Sequence, residues 1–217
     1  MNTLSLYLEE RFIYFNNHYY SQIYGDSMWA EYLEVFDKLF VIARVKKQTS
    51  FDPITKGYKI TKNPNIIFIP LADYQGLYEG IKYLPATVSS VVKSVKQSQS
   101  NLLRLPGLIS NIAGVSAIWM NKNIAVQLVG DPYDVFSSGV GGKYAPVLKI
   151  VFTNLTKYIC KNAAVASYVT QYTLQEKYPP NRNAVNISYS DVNLEPSVFE
   201  EKNIIETYST LIENLSS

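Results

Sequence analysis

The chain has 217 residues, of which 47% are hydrophobic and 18% charged, with a net charge of +2. That length supports one large core and that composition is ordinary for a globular protein. No basic run exceeds Lys46-Lys47, so the clustered cationic face that nucleic acid demands is missing and no nucleic-acid partner is expected.

The single cysteine, Cys160, cannot build a disulfide framework within the chain and reads as a buried structural thiol. The N-terminus lacks the basic start and apolar core of a signal peptide. No run reaches the roughly 18 apolar residues that a bilayer span requires. A cytoplasmic location is expected, or a peripheral one on the inner face of a membrane. Eighteen tyrosines stand out; a flat apolar ring with a hydroxyl suits sugar-stacking clefts and interfaces, although a low-GC genome raises tyrosine as well.

Residues 11–15, joined by part of 4–8, read as a first strand, followed by a polar loop over 16–21. From Ser27 the spacing turns helical, with Trp29, Tyr32, Leu33 and Phe36 on one face. Residues 39–45 make a second buried strand, 58–61 a short edge strand and 65–71 a third main strand. Residues 74–98 read as helix, with Pro85 splitting it or starting its second half. Residues 101–106 form the next strand, and 107–121 an apolar helix. That helix bears Trp119 and Met120 but lacks the Lys/Arg-rich face of an interfacial helix.

Residues 123–131 are central to the reading. Ile124, Val126, Leu128 and Val129 are apolar and mostly β-branched, and Gly130-Asp131-Pro132 stops the run abruptly. Such a run reads as a strand covered on both faces, as in a parallel sheet. Helix over 144–161, strand over 163–170, short helix over 171–178 and strand over 184–188 come next, with a terminal amphipathic helix over 203–215. Its stripe is Ile204, Ile205, Tyr208, Leu211 and Ile212. This alternation predicts an α/β fold: a Rossmann-like, doubly wound, mostly parallel sheet of about seven strands with helices on both faces. Residues 1–200 form that domain, and 201–217 a terminal helix or the start of an interdomain linker. Neither a Gly-x-Gly-x-x-Gly, nor a P-loop, nor a Gly-x-Ser-x-Gly elbow is present.

In an open α/β sheet the ligand crevice lies at the carboxyl ends of the strands. Asp131, Tyr133 and Asp134 gather there, with Arg104 at the neighbouring strand end and Gly139 and Gly141 in a flexible loop beyond. Asp131 either accepts a hydrogen bond from a substrate hydroxyl or caps the turn; Asp134 leaves the same two readings open, and Arg104 either pairs with Asp131 or binds an acceptor phosphate. In the 16–21 loop, Asn16, Asn17, His18, Tyr20 and Ser21 are binding candidates, against a surface or packing role. His18, the lone histidine, and Asp131 are the two candidates for catalysis.

Several stretches together resemble one family. They are Arg11-Phe12 with the 16–21 loop, Trp29-x-x-Tyr32-Leu-Glu-Val-Phe36, Val41-Ile-Ala-Arg44-Val, Arg104-Leu-Pro106, Val129-Gly-Asp-Pro-Tyr-Asp-Val-Phe136, and Ala166-Ser-Tyr-Val-Thr170 with Leu174-Gln-Glu-Lys-Tyr178-Pro. In order and spacing they are similar to the N-terminal, acceptor-side domain of bacterial group 1 (family 4-like) glycosyltransferases of GT-B fold. The resemblance implies a retaining, metal-independent transfer of a sugar from a nucleotide-sugar to a glycan or lipid-linked acceptor in capsule, O-antigen or exopolysaccharide synthesis.

It also implies a donor domain carrying Glu-x7-Glu. Among Glu195, Glu200, Glu201, Glu206 and Glu213 that spacing is not met at 206 and 213, which lie seven apart. The donor domain is therefore expected outside this chain, in cis or in trans, and the chain alone is expected to be inactive. No cofactor is expected, and the nucleotide-sugar is assigned mainly to the absent domain. The family often has a glycine facing the donor phosphate in the first loop, where this chain has His18. A peripheral membrane contact fits a lipid-linked acceptor. The alternatives are a non-catalytic partner subunit of a split transferase, or an unrelated α/β binding domain.

Overall fold

A computed structural model describes residues 2–54 and 56–189; the expected helix over 203–215 and the boundary at 200 lie outside them. The described chain is a mixed α/β structure built on one largely parallel sheet, in keeping with a Rossmann-like fold. Its elements are β1 (Thr3–Phe15), β2 (His18–Ser21), α1 (Asp26–Leu33), β3 (Lys38–Lys47), β4 (Lys59–Thr61), β5 (Ile66–Leu71) and α2 (Gly76–Gln97). They continue with β6 (Ser100–Leu105), α3 (Leu108–Trp119), β7 (Ile124–Leu128), α4 (Pro132–Ser137), α5 (Ala145–Asn162), β8 (Val165–Tyr168), α6 (Thr173–Lys177) and β9 (Val185–Ser188).

The parallel strands lie in the order β5-β3-β1-β6-β7-β8-β9. The strand order reverses between β1 and β6, which makes this pair the topological switch point. β1 alternates strictly: Leu4, Leu6 and Leu8 enter one apolar layer, whereas Tyr7 enters the other. The first layer packs against Trp29 of α1, and the second against Val91 and Val95 of α2, Ile109 and Ala113 of α3, and Ile159 of α5. Helices therefore cover both faces, as the alternation predicts.

Three local expectations are corrected. The 16–21 stretch is a β-hairpin, not a polar loop: β2 pairs antiparallel with the end of β1, and β4 pairs with β2. Asn16 and Asn17 adopt φ of 47° and 61°. Asparagine tolerates this left-handed region, and the two-residue turn it makes matches strand twist. Pro85 does not split α2, which runs unbroken for 22 residues. The proline sits on the exposed side of the helix, so the carbonyl four residues earlier, left without an N–H partner, faces solvent. Residues 132–137, where no helix is expected, form α4.

β1 is one strand that takes in the whole of 4–8 as well as 11–15, with its register against β3 broken between Tyr7 and Arg11. Beyond that break β6 is no longer its neighbour, and β2 takes the same flank. Cys160 is fully buried, and burial pushes its thiol up to about 12, which makes it the inert structural group anticipated.

Candidate functional site

The tips of β6 and β7 adjoin. Leu105 is in register with Leu128, and the Val129 N–H donates to the Leu105 carbonyl at 2.8 Å. A Cβ built on Gly130 would lie 4.0 Å from Pro106 Cδ. Two strand ends thus open side by side, next to the switch point.

At the β7 tip, Asp131 is the N-cap of α4. Its Oδ1 accepts the Tyr133 N–H at 2.8 Å and the Tyr178 hydroxyl at 2.5 Å, and its Oδ2 pairs with the Lys177 ammonium. Pro132 occupies the first helical position, where a missing N–H costs nothing. Burial acts to raise the Asp131 carboxyl, but the hydrogen bonds from Lys177, Tyr178 and the Tyr133 N–H more than offset it and hold it below the ordinary value. Burial, followed by its bond to Asp131, pushes the Tyr178 phenol up.

The neighbouring Tyr133 ring carries two cations. Lys149 Nζ stands 4.1 Å from its centroid and Lys177 Nζ 4.6 Å. Lys149 also donates to the Ser137 hydroxyl at 3.4 Å. Asp134 is exposed on the first turn of the same helix. The result is a half-exposed aromatic plate flanked by two ammonium groups beside a solvated carboxylate. Such a set can hold a phosphate and a sugar face at once.

At the switch point, the register break in β1 turns Glu9 toward α3. The Glu9 carboxylate accepts the Ile109 N–H at 2.6 Å, occupying the end of α3 where an anionic ligand would otherwise bind. A Cβ on Gly107 would overlap the Glu9 side chain, so glycine is what lets the carboxylate approach. Burial pushes the Glu9 carboxyl above its ordinary value, against the lowering effect of the Ile109 N–H, Arg44 and the Leu108 N–H.

Arg44 braces the bulge. It donates to the Glu9 carbonyl at 2.5 Å and to the Tyr74 carbonyl at 3.2 Å, and its guanidinium lies 5.0 Å from the Tyr74 ring centroid. Arg11 pairs with Asp73 through two contacts of 2.5 Å, a bidentate fork. This bond to Asp73 raises the Arg11 guanidinium.

The anticipated residues divide into two groups. Asp131, Tyr133 and Asp134 come together at the β7 tip, as their closeness in sequence requires. Arg104 lies one strand away, in register with Gln127, and its carbonyl accepts from the Ser110 hydroxyl at 2.8 Å. Gly139 and Gly141 take φ of 96° and 92° in the turn that leads into α5.

Asn16, Asn17, His18, Tyr20 and Ser21 belong to the β1–β2 hairpin. Asn16 and Asn17 are exposed at its turn, and His18 is half-buried opposite Phe15. Tyr20 is buried against Phe51, with ring centroids 5.4 Å apart. Ser21 is fully buried and donates to Glu10 at 2.8 Å.

Sequence reasoning passed over Glu9, Arg44, Lys149 and Lys177. The charged triplet Glu9-Glu10-Arg11 interrupting an apolar strand is the available signal for the bulge. The two lysines are surface charges with no periodicity to mark them.

Among the described residues no group of histidine, cysteine and carboxylate side chains is placed to hold a metal ion, and no helix is long and apolar enough to cross a membrane. No family model matches the chain. It is similar to Protein CapJ of Staphylococcus aureus, with 29% identity over 169 residues. The match takes in 77% of this chain and 41% of that protein, so the chain spans well under half the length of this relative.

Proposed function

We propose that this chain is the acceptor-side part of a sugar transferase acting in capsule or related cell-surface polysaccharide synthesis. The observation that carries the reading is the adjoining of the β6 and β7 tips next to the switch point, with Tyr133, Lys149 and Lys177 grouped beside them. The resemblance to the acceptor half of GT-B transferases and the similarity to Protein CapJ both support it. That relative is long enough to hold a further domain beside the matched part. In this reading the nucleotide-sugar binds mainly outside the present chain, on a domain joined in cis or supplied in trans.

The chemistry rests on the groups at hand. Lys149 and Lys177 receive the phosphate of a lipid-linked sugar acceptor, and the Tyr133 ring lies along the sugar. Asp131 already accepts three hydrogen bonds from its own chain, so it orients α4 and Lys177. The exposed Asp134 accepts the hydrogen bond of the acceptor hydroxyl and aligns its lone pair for attack.

Calorimetric titration tests this reading. The chain is expected to bind a short-chain polyprenyl diphosphate sugar and to show no saturable affinity for nucleotide-sugars. Lys149→Ala and Lys177→Ala should each weaken acceptor binding by about tenfold, the scale of one charge-assisted contact. Micromolar nucleotide-sugar binding, or acceptor binding indifferent to both lysines, overturns it.

A further inference from the structure

The outward face of α5 is unusual for a helix of a globular protein. Val147 and Ile150 are 62% and 63% exposed, and Val151 and Tyr158 are also open to solvent. These residues succeed one another at helical spacing, opposite the buried Thr156, Ile159 and Cys160. Val140 and Tyr144, just before the helix, extend the same apolar exposure. A stripe of this kind is a contact surface rather than scattered apolar residues.

Charge decides what it contacts. From residue 135 to residue 175 the chain has no aspartate or glutamate, whereas it has Lys143, Lys149, Lys157 and Lys161. Lys157 and Lys161 also line an open pocket of about 870 Å³ with Lys177 and Arg182, and Glu176 is its one carboxylate. The helix α3, which ends at the apolar pair Trp119 and Met120, buries Ile109, Ala113 and Ala117 against the sheet instead.

We propose that the outward face of α5 docks this protein on an anionic bilayer surface. Val147, Ile150, Val151 and Tyr158 enter the headgroup boundary, and the lysines pair with lipid phosphates. An amphipathic face with apolar residues flanked by lysine and free of carboxylates satisfies both requirements of interfacial binding, buried apolar area and attraction to anionic lipid. The N-terminal half of α5 packs on α4, with the Phe136 and Phe152 ring centroids 4.8 Å apart. Docking would therefore hold the β7 tip close to the lipid surface.

Vesicle co-sedimentation of the 217-residue chain tests the proposal. Vesicles of phosphatidylcholine with about 30 mol% phosphatidylglycerol, an anionic surface, should carry the protein down. Pure phosphatidylcholine should not, and added salt should release it. Reversing Lys143, Lys157 and Lys161 to Glu should lower partitioning on the order of 100-fold or more, given roughly fivefold per lysine at such a surface. The pair Val147→Ser and Ile150→Ser should lower it several-fold.

Lys93→Glu, on the exposed side of α2, is the control and should leave it unchanged. An unaltered circular-dichroism melt establishes that each variant folds. Absence of binding to the anionic vesicles, equal binding to both vesicle types, or indifference to the triple reversal overturns the proposal. The readout involves neither sugar nor nucleotide, so its failure leaves the transferase reading untouched.

Discussion

The backbone N–H of Ile109 donates to the carboxylate of Glu9 at 2.6 Å, across a separation of 100 residues. A side chain from the central strand thus caps a helix that is distant in sequence, and Gly107 provides the space. Glu9→Ala should cost about 1–2 kcal/mol, the value of a lost N-cap. Gly107→Ala, which drives the carboxylate away, should cost a similar amount. The double variant should cost far less than the sum, since both remove one interaction. Urea denaturation of the three proteins measures this, and strict additivity would rule the coupling out.

Glu9 also predicts a pH dependence. Its carboxyl is raised in the folded state, mainly by burial, so the native protein binds this proton more readily than the unfolded chain does. Its contribution to stability is therefore full below the ordinary value of 4.5 and declines as pH rises through the raised one. Glu9→Gln retains an acceptor for Ile109 without the buried charge. It should flatten this decline in denaturation midpoints taken between about pH 4 and 8.

Asp131 has the opposite sign. Its carboxyl is held below the ordinary 3.8, so its contribution is present above that value and disappears as pH falls through the lower folded one. Asp131→Ala should cost about 1–2 kcal/mol at neutral pH, through the lost cap and the unpaired Tyr178 hydroxyl. The cost should shrink on acidification, which thermal melts at descending pH would reveal.

Helices α3 and α5 meet at a point with no spare room. A Cβ on Gly114 would lie 2.7 Å from Ile159 Cδ1, and Ile159 is fully buried. Gly114→Ala should destabilise by about 1–3 kcal/mol through overpacking. Adding Ile159→Val, which removes the offending methyl, should restore part of the loss in the same melts.

The indole N–H of Trp29 donates to the Thr61 hydroxyl at 2.8 Å, with both side chains buried. Thr61→Val keeps the shape and leaves the indole without its partner. It should cost about 1–3 kcal/mol in chemical denaturation.

Much of this architecture was legible before any coordinates. The run Ile124-Ala-Val-Gln-Leu128 ended by Gly130-Asp131-Pro132 marked both a buried strand and the place where it must stop, because proline cannot extend a ladder and aspartate caps the turn beyond it. The Asn16-Asn17 turn is obscured by the polar residues around it, although paired asparagines tolerate the left-handed backbone that a hairpin turn needs. Glu9 was out of reach for a different reason. Its charge in an apolar strand marks a disturbance, but the helix end that rewards it lies a hundred residues on, and no local pattern connects the two. Lys149 and Lys177 were equally hidden, since they meet at Tyr133 only after α5 and α6 have returned to the sheet.

The central strand carries a consequence for synthesis. β1 finds its antiparallel neighbour β2 almost at once, through a turn of two asparagines. The N-terminal half of that same flank, Leu4 to Tyr7, stays open until Ser100–Leu103 have left the ribosome. Until then this segment of leucines and a tyrosine has only β3 beside it and keeps one edge unpaired, and pairing so remote in sequence is slow to form. The nascent chain is therefore most vulnerable to aggregation while its first half alone has emerged.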